Sequence, residues 1–128
     1  MKVSTIDYSK LRVRDLTSLD SKRLRIRGTY AYVPDSKRSE FGGTEYLLVR
    51  EPTNAHDASA IAVYGRQRKI GYVSAAKAAG LTPLLDQCTD CDGFVVTGTS
   101  TSDTSIRLWV DLPTLPALRA YVQRNFQS

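Results

Sequence analysis

The chain has 128 residues, 41% of them hydrophobic and 24% charged, and a formal net charge of +5. These values are ordinary for one globular domain, and no apolar run approaches the roughly 18 residues that a transmembrane helix needs. We therefore expect a soluble protein, and a cytoplasmic one because residues 1–7 lack the apolar stretch of a secretory signal.

The positive charge is concentrated in the first part of the chain. Residues 1–38 contain ten Lys or Arg and four Asp, a net of +6, whereas residues 39–128 contain eight basic and nine acidic residues, a net of −1. A basic patch attracts polyanions, so nucleic acid is the first candidate ligand and an anionic membrane surface the second. Charge that protects an exposed edge strand from aggregation explains the pattern equally well.

Six short runs alternate apolar and polar residues or are continuously apolar, and clusters of Pro, Gly, Asp and Ser separate them. The first two runs flank the turn-forming residues 34–43 and are expected to pair in an antiparallel way. Residues 1–20 show no clear period and are predicted to be an arm that either adds a strand or stays loose. The predicted strands are 23–33, 44–51, 60–64, 69–73, 93–98 and 105–111.

Helical patterns follow the fourth strand and end the chain. A helix over 75–79 is predicted, with Ser74 as its N-cap and Gly80 at its end, and Thr82 begins a second short turn. Residues 115–126 space their apolar side chains helically and are expected to pack on the barrel. A mainly β fold follows: a small, partly open OB-like or SH3-like barrel of five or six strands, one or two short helices after strand four and a C-terminal helix.

The sequence offers little for catalysis or metal binding. Cys88 and Cys91 form a lone Cys-x-x-Cys motif, and His56 is the single histidine, so the four ligands of a structural zinc site are lacking. His56 has no neighbouring nucleophile, and the acidic loop 86–92 has no lysine of the kind that metal-dependent nucleases use. We expect a protein without catalytic activity, cofactor or metal, with two reduced thiols in a loop.

Residues 48–64 and 69–74 carry a specific pattern. It reads Arg-Glu-Pro-x-Asn-x-x-Asp-x-x-Ala-Ile-x-Val over 50–63, followed by Ile-Gly-Tyr-Val over 70–73. This pattern resembles the HIRAN family. The resemblance implies a HIRAN-like barrel over 21–112, with residues 1–20 as an N-terminal arm and 113–128 as a C-terminal helix.

HIRAN domains occur alone in bacteria and phages and fused to helicases and nucleases. The resemblance therefore implies a DNA-binding module that recognises single-stranded DNA near a free 3′ end, in repair or replication-fork processing, with a helicase or nuclease as a partner. In that family an aspartate meets the terminal 3′ hydroxyl and the residue before it packs on a base. These positions are Asp57 and His56 here, and a second aromatic matches Tyr32.

The chain departs from the family pattern at three places. The basic residue of the first aromatic segment aligns near Tyr30, and Ser74 stands where a basic residue is expected at the helix start. Residues 97–105 lack the aromatic wedge of the last hairpin. Asn54 and Asp57 are also the residue types that tie a tight loop to its own backbone, so a structural role for both stays open.

Other side chains allow two interpretations each. Trp109 beside Arg107 is a stacking platform on the outer face or, as we expect, is covered by the last helix. The main rival function is a protein-interaction module whose basic barrel edge takes a partner strand, without end-specific DNA binding. The residues predicted to contact DNA are Arg27, Tyr30, Tyr32, Asn54, His56, Asp57, Lys69 and Ser74, with weaker phosphate attraction by Arg25, Arg66 and Arg68.

Overall fold

A computed structural model describes residues 2–102 and 105–126, which form seven strands and three α-helices. The helices are α1 (Arg38–Phe41), α2 (Ala75–Leu85) and α3 (Leu115–Phe126). The strands are β1 (Val13–Asp15), β2 (Ser21–Arg25), β3 (Glu45–Arg50), β4 (Ile61–Gly65), β5 (Arg68–Tyr72), β6 (Gly93–Thr99) and β7 (Trp109–Pro113). No helix in the described ranges has both the length and the apolar character needed to cross a membrane.

Six of the strands form one curled antiparallel sheet in the order β2-β7-β6-β3-β4-β5, and β1 pairs in parallel with the start of β6. The two ends of this path meet at an isolated bridge between Arg27 and Tyr72. Each of these two residues donates its backbone N–H to the carbonyl oxygen of the other at 2.8 Å. We call this bridge the seam. The prediction of a partly open barrel of five or six strands with a C-terminal helix is confirmed.

The core lies inside the curl of the sheet and is closed by α2 and α3. Each large apolar side chain that is fully removed from water contributes about 1.5–3 kcal/mol, so this cluster is the main stabilising element. Its fully buried members include Ile26, Leu48, Val63, Ile70, Val96 and Val110 from the strands and their ends, and Leu118 and Val122 from α3.

The first strand is shorter than the alternation predicts. The extended chain leaves the sheet after Arg27, because Gly28 adopts a φ of 72°, in the left-handed region that favours glycine. Thr29–Ala31 then form a 3-10 helix, so the predicted strand over 23–33 is wrong beyond this point.

The predicted pairing of the first two long strands is also wrong. β2 pairs with β7, and β3 lies between β4 and β6. The turn-forming residues 34–43 contain a 3-10 helix and α1 instead of a hairpin turn. Strand partners are set by which edges meet in the folded barrel, and turn composition does not determine them.

The boundaries of α2 and of the last strand also differ from those predicted. α2 continues from Ala75 to Leu85, so the predicted stop at Gly80 and the separate turn from Thr82 are wrong. Burial of one face of α2 outweighs the low helix propensity of its glycine and its proline. The last strand begins at Trp109 instead of residue 105, and Ile106 is 43% exposed.

Residues 2–20 attach to two strands. β1 extends the sheet beside β6, and the backbone around Thr5 pairs with the outer edge of β5. There the Lys69 N–H donates to the Ser4 carbonyl oxygen at 2.7 Å, and the Ile6 N–H donates to that of Gln67 at 2.8 Å. Of the two alternatives predicted for the arm, an added strand or a loose segment, the structure therefore shows the added strand.

Gly71 allows the close approach at the seam. A Cβ at this position would lie 2.4 Å from the Arg27 carbonyl oxygen and 2.8 Å from Cγ2 of Ile26. We expect Gly71→Ala to lower the free energy of unfolding by about 2–3 kcal/mol in urea denaturation, because backbone must shift. Gly43→Ala is the matched control, since its Cβ would meet no atom within 4 Å. Equal stability of the two variants would contradict a tightly packed seam.

Candidate nucleic-acid interface

A groove of about 360 Å³ lies against the seam and opens to solvent. Four separate parts of the chain form it: the segment after β2, the loop between β3 and β4, the end of β5 and the start of α2. We call it the seam groove. Its lining residues are Arg27, Gly28, Tyr32, Asn54, His56, Asp57, Ala60, Tyr72, Val73, Ser74 and Ala75.

Most residues predicted to contact DNA meet in this groove, although they are far apart in sequence. Tyr30 does not line it and points into solvent, with 79% of its surface exposed. Lys69 lies beneath it, with its side chain 11% exposed. The predicted residues that the groove brings together are Arg27, Tyr32, Asn54, His56, Asp57 and Ser74.

The carboxylate of Glu51 organises the polar contacts beneath the groove. Its Oε1 accepts hydrogen bonds from Asn54 Nδ2 at 3.0 Å and from the Tyr72 hydroxyl at 2.7 Å, and its Oε2 pairs with Lys69 Nζ. Burial raises the pKa of Glu51, but the three donors outweigh it and hold the pKa below its usual value. Burial and the nearby Glu51 raise the pKa of Tyr72. Lys69 is therefore a structural partner of Glu51 instead of a surface cation.

Asn54 and Asp57 shape the loop between β3 and β4. Oδ1 of Asn54 accepts hydrogen bonds from the backbone N–H groups of His56 at 2.9 Å and Asp57 at 3.1 Å. Oδ1 of Asp57 accepts one from the Ser59 N–H at 2.8 Å. Within residues 2–102 and 105–126, Oδ2 of Asp57 accepts no hydrogen bond, so this oxygen is available to accept one from a ligand. Asp57 thus combines the loop role with a free oxygen at the groove.

The ring of Tyr32 is held in place before any ligand binds. It packs edge-to-face against Tyr72, with ring centroids 5.8 Å apart and an interplanar angle of 64°. Nζ of Lys2 lies 5.9 Å from the Tyr32 ring centroid, and the Lys2 N–H donates to the Ala31 carbonyl oxygen at 3.0 Å. Lys2 was not among the residues predicted to contact DNA. The one sequence feature that pointed to it was the excess of basic residues over 1–38.

Comparison with known proteins identifies the family. The HIRAN domain model matches residues 21–113. The chain belongs to the HIRAN family. HIRAN domains are DNA-binding modules. The structure is similar to the crystal structure of the HIRAN domain of human HLTF, with a TM-score of 0.45 and 15% identity over 81% of this chain and 87% of that chain. No curated protein matches the chain.

The start of α2 faces the groove where the HIRAN pattern has a basic residue. Ser74 occupies the N-cap position, as predicted, but its hydroxyl makes no capping hydrogen bond. The first turn of α2 contains no acidic side chain. The backbone N–H groups of a helix start carry partial positive charge, so this end of α2 is electropositive although the basic residue is missing.

The basic residues predicted to attract phosphates differ in their surroundings. Arg25 and Arg27 are exposed and form no ion pair among the described residues. Arg66 is exposed in the turn between β4 and β5, at the opposite end of β5 from the groove. The Arg68 guanidinium donates to the Tyr32 carbonyl oxygen and lies 4.8 Å from the Phe41 ring centroid. Arg25 and Arg27 therefore keep exposed guanidinium groups, whereas the Arg68 guanidinium is part of the fold.

The two thiols of this HIRAN domain lie outside the groove lining. Burial raises the pKa of the Cys88 thiol to about 11, and burial also raises that of Cys91. Both thiols are protonated at neutral pH, which makes them weak nucleophiles. No group of three or more His, Cys, Asp or Glu side chains within 2–102 and 105–126 is arranged to hold a metal ion.

Glu51→Gln tests the role of the polar contacts beneath the groove. The folded-state pKa of Glu51 is lowered, so its stabilising contribution is present at neutral pH and is lost as the pH falls through that pKa. We expect Glu51→Gln to lower the free energy of unfolding by about 2 kcal/mol near neutral pH, and by much less at acid pH below the lowered pKa of Glu51, where the carboxylate is protonated. The measurement is urea denaturation across this pH range.

Glu45→Gln provides the control for this series, because Glu45 is exposed and is not part of the contacts beneath the groove. Its free energy of unfolding should follow that of the unmodified chain at each pH. A deficit for Glu51→Gln that stays constant with pH would show that the ionised carboxylate is not the source of the stabilisation.

Proposed function

We propose that the seam groove binds the last nucleotides of single-stranded DNA at a free 3′ end. The observation that carries this proposal is the meeting of Tyr32, His56 and Asp57 in one groove, although they lie on separate segments. The HIRAN resemblance relates these three positions to base stacking and to the terminal hydroxyl. A basic barrel with aromatic side chains in a groove is suited to single strands, whose bases are free to stack.

Base contact falls to Tyr32 and His56. The Tyr32 ring is fixed by its edge-to-face contact with Tyr72, so little side-chain freedom is lost when a base stacks on it. His56 is exposed and also lines the groove, and among the described residues its one hydrogen bond is from its backbone N–H to Asn54. A base between these two side chains would gain about 1–3 kcal/mol from stacking.

Selectivity for an end is assigned to Asp57. Its Oδ1 is fixed by the Ser59 N–H, which orients the carboxylate and leaves Oδ2 to accept a hydrogen bond from a 3′ hydroxyl. A strand that continued past this point would place a phosphate against the same carboxylate. Two like charges in a half-buried groove repel, so the site excludes internal nucleotides as well as accepting the terminal one.

Phosphate contacts are assigned to two parts of the groove lining. Arg27 follows β2, and Ser74 and Ala75 form the start of α2. Guanidinium groups and helix N-termini both stabilise phosphate oxygens without reading the base sequence. The proposed ligand is therefore any single strand with an accessible 3′ hydroxyl.

The proposed module acts by binding, without catalysis of its own. Its place would be in DNA repair or replication-fork processing, where free 3′ ends arise, alongside a helicase or nuclease that performs the chemistry. The rival function, capture of a partner strand at a barrel edge, has less support. The arm residues around Thr5 already pair with the outer edge of β5, and Arg27 occupies its end.

Asp57→Asn separates the ligand role of Asp57 from its loop role. The asparagine keeps an oxygen for the Ser59 N–H but removes the negative charge. We expect the unmodified chain to prefer a 3′ hydroxyl over a 3′ phosphate, and Asp57→Asn to reduce this preference by about tenfold. Fluorescence anisotropy with matched labelled strands measures the ratio of the two dissociation constants.

Asp20→Asn is the control for charge removal, because Asp20 is exposed and does not line the groove. It should keep the preference of the unmodified chain. If Asp57→Asn is folded and keeps the full preference, or if the unmodified chain has none, end capture by Asp57 is refuted.

Arg27→Ala tests the phosphate contact. We expect it to weaken binding similarly for strands of different sequence, and to reduce the slope of the logarithm of affinity against the logarithm of salt concentration by about one. Arg119→Ala removes an equal charge from the exposed face of α3 and should leave the slope unchanged. An unchanged slope in Arg27→Ala would remove this residue from the interface.

A further inference from the structure

Trp109, the single tryptophan of the chain, lies on the outer face of the barrel. It is half-buried, whereas the next residue, Val110, is fully buried in the core. We expected the C-terminal helix to cover Trp109, but α3 packs against α2, and none of its described residues lines the groove in which Trp109 lies. Trp109 instead lines an open surface groove with Arg23, Arg107 and hydroxyl-bearing residues.

The register of the strands places Arg25 beside this indole. Arg25 of β2 pairs directly with Trp109 of β7, and Thr99 of β6 pairs with Trp109 on its other side. Directly paired residues of antiparallel strands point to the same face, about 4.5–5.5 Å apart. Arg25 and Arg107 are both exposed and form no ion pair with the described residues.

This surface is continuous with the seam groove. Arg25 and Arg27 are two positions apart on an extended chain, so they share a face and lie about 6.8 Å apart along it. Arg27 lines the seam groove and Arg25 flanks Trp109. In the other direction along β2, the positive charge of Arg23 is neutralised, because Arg23 is paired with Asp111 at 2.8 Å. Thr97 also donates a hydrogen bond to this carboxylate, at 2.7 Å.

We propose that Trp109 is a second stacking platform for the same nucleic acid strand, upstream of the nucleotides in the seam groove. A base stacks on the indole, and Arg25 and Arg107 contact the phosphates on either side of it. This inference rests on the proposed function for the direction of the strand. Single-stranded nucleic acid fits this surface because the surface combines an aromatic face, hydroxyl groups and the guanidinium groups of Arg25 and Arg107, which form no ion pair with the described residues.

Because the chain has one tryptophan, the tryptophan fluorescence of the protein reports on Trp109 alone. The experiment compares 3′-hydroxyl oligothymidylates of about three and about twelve nucleotides, the longer one within the site sizes of OB-type folds. Labelled strands give affinity by anisotropy, and unlabelled strands give tryptophan quenching. We expect both lengths to bind the full chain, and the longer one alone to quench Trp109.

Substitutions provide the second readout. We expect Trp109→Ala to weaken binding of the longer strand by about tenfold and that of the shorter strand by less than about twofold, and Trp109→Phe to recover part of the loss. Arg25→Ala and Arg107→Ala, at exposed positions, should each weaken the longer strand by about fivefold, with Arg119→Ala as the control. These arginine variants keep the test valid if Trp109→Ala does not fold.

The outcomes separate this inference from the proposed function. Tight binding of the longer strand with unchanged tryptophan fluorescence, and with no loss in the arginine variants, overturns the platform and leaves end capture intact. Quenching by the longer strand, with equal dissociation constants for a 3′ hydroxyl and a 3′ phosphate, supports the platform and refutes end capture. If no strand binds the chain, both proposals fail.

Discussion

Two backbone hydrogen bonds between Arg27 and Tyr72 join the ends of the curled sheet, and the candidate site is built around them. On one side of this seam the chain turns at Gly28 and brings Tyr32 back against Tyr72. On the other side β5 ends, and α2 begins within three residues. Closing the barrel and forming the groove are therefore one structural event, which requires a residue without a side chain at Gly71.

The pattern that carries the HIRAN resemblance is mainly a device for holding one loop. Arg50 donates to the carboxylate of Asp86 and to the carbonyl oxygens of Ala58 and Ala60, which ties the loop to the end of α2. Glu51 and Asn54 hold it from beneath through the contacts already described. These bonds leave the His56 side chain exposed and, among the described residues, leave Oδ2 of Asp57 without a hydrogen-bond donor, so the loop holds both proposed contact residues on a rigid support.

The basic residues divide into those that stabilise the fold and those available to a ligand. Among the described residues, six ion pairs join an arginine or a lysine to an acidic partner, so several basic side chains are not available to a ligand. The exposed guanidinium groups of Arg25, Arg27 and Arg107, which form no ion pair with the described residues, lie on β2, just after it and just before β7. The cations held in ion pairs are Arg12, Arg14, Arg23, Arg38, Arg50 and Lys69.

The sequence by itself determined the barrel class, the C-terminal helix, the family and six of the residues that meet in the groove. Alternation, helical spacing and a long motif are local signals, and burial of one face preserves them in the fold. Only the tertiary structure decided that β2 pairs with β7, that α2 runs through Gly80, and that Lys69 is half-buried and paired with Glu51. These features depend on contacts between residues far apart in the chain, which no local pattern specifies.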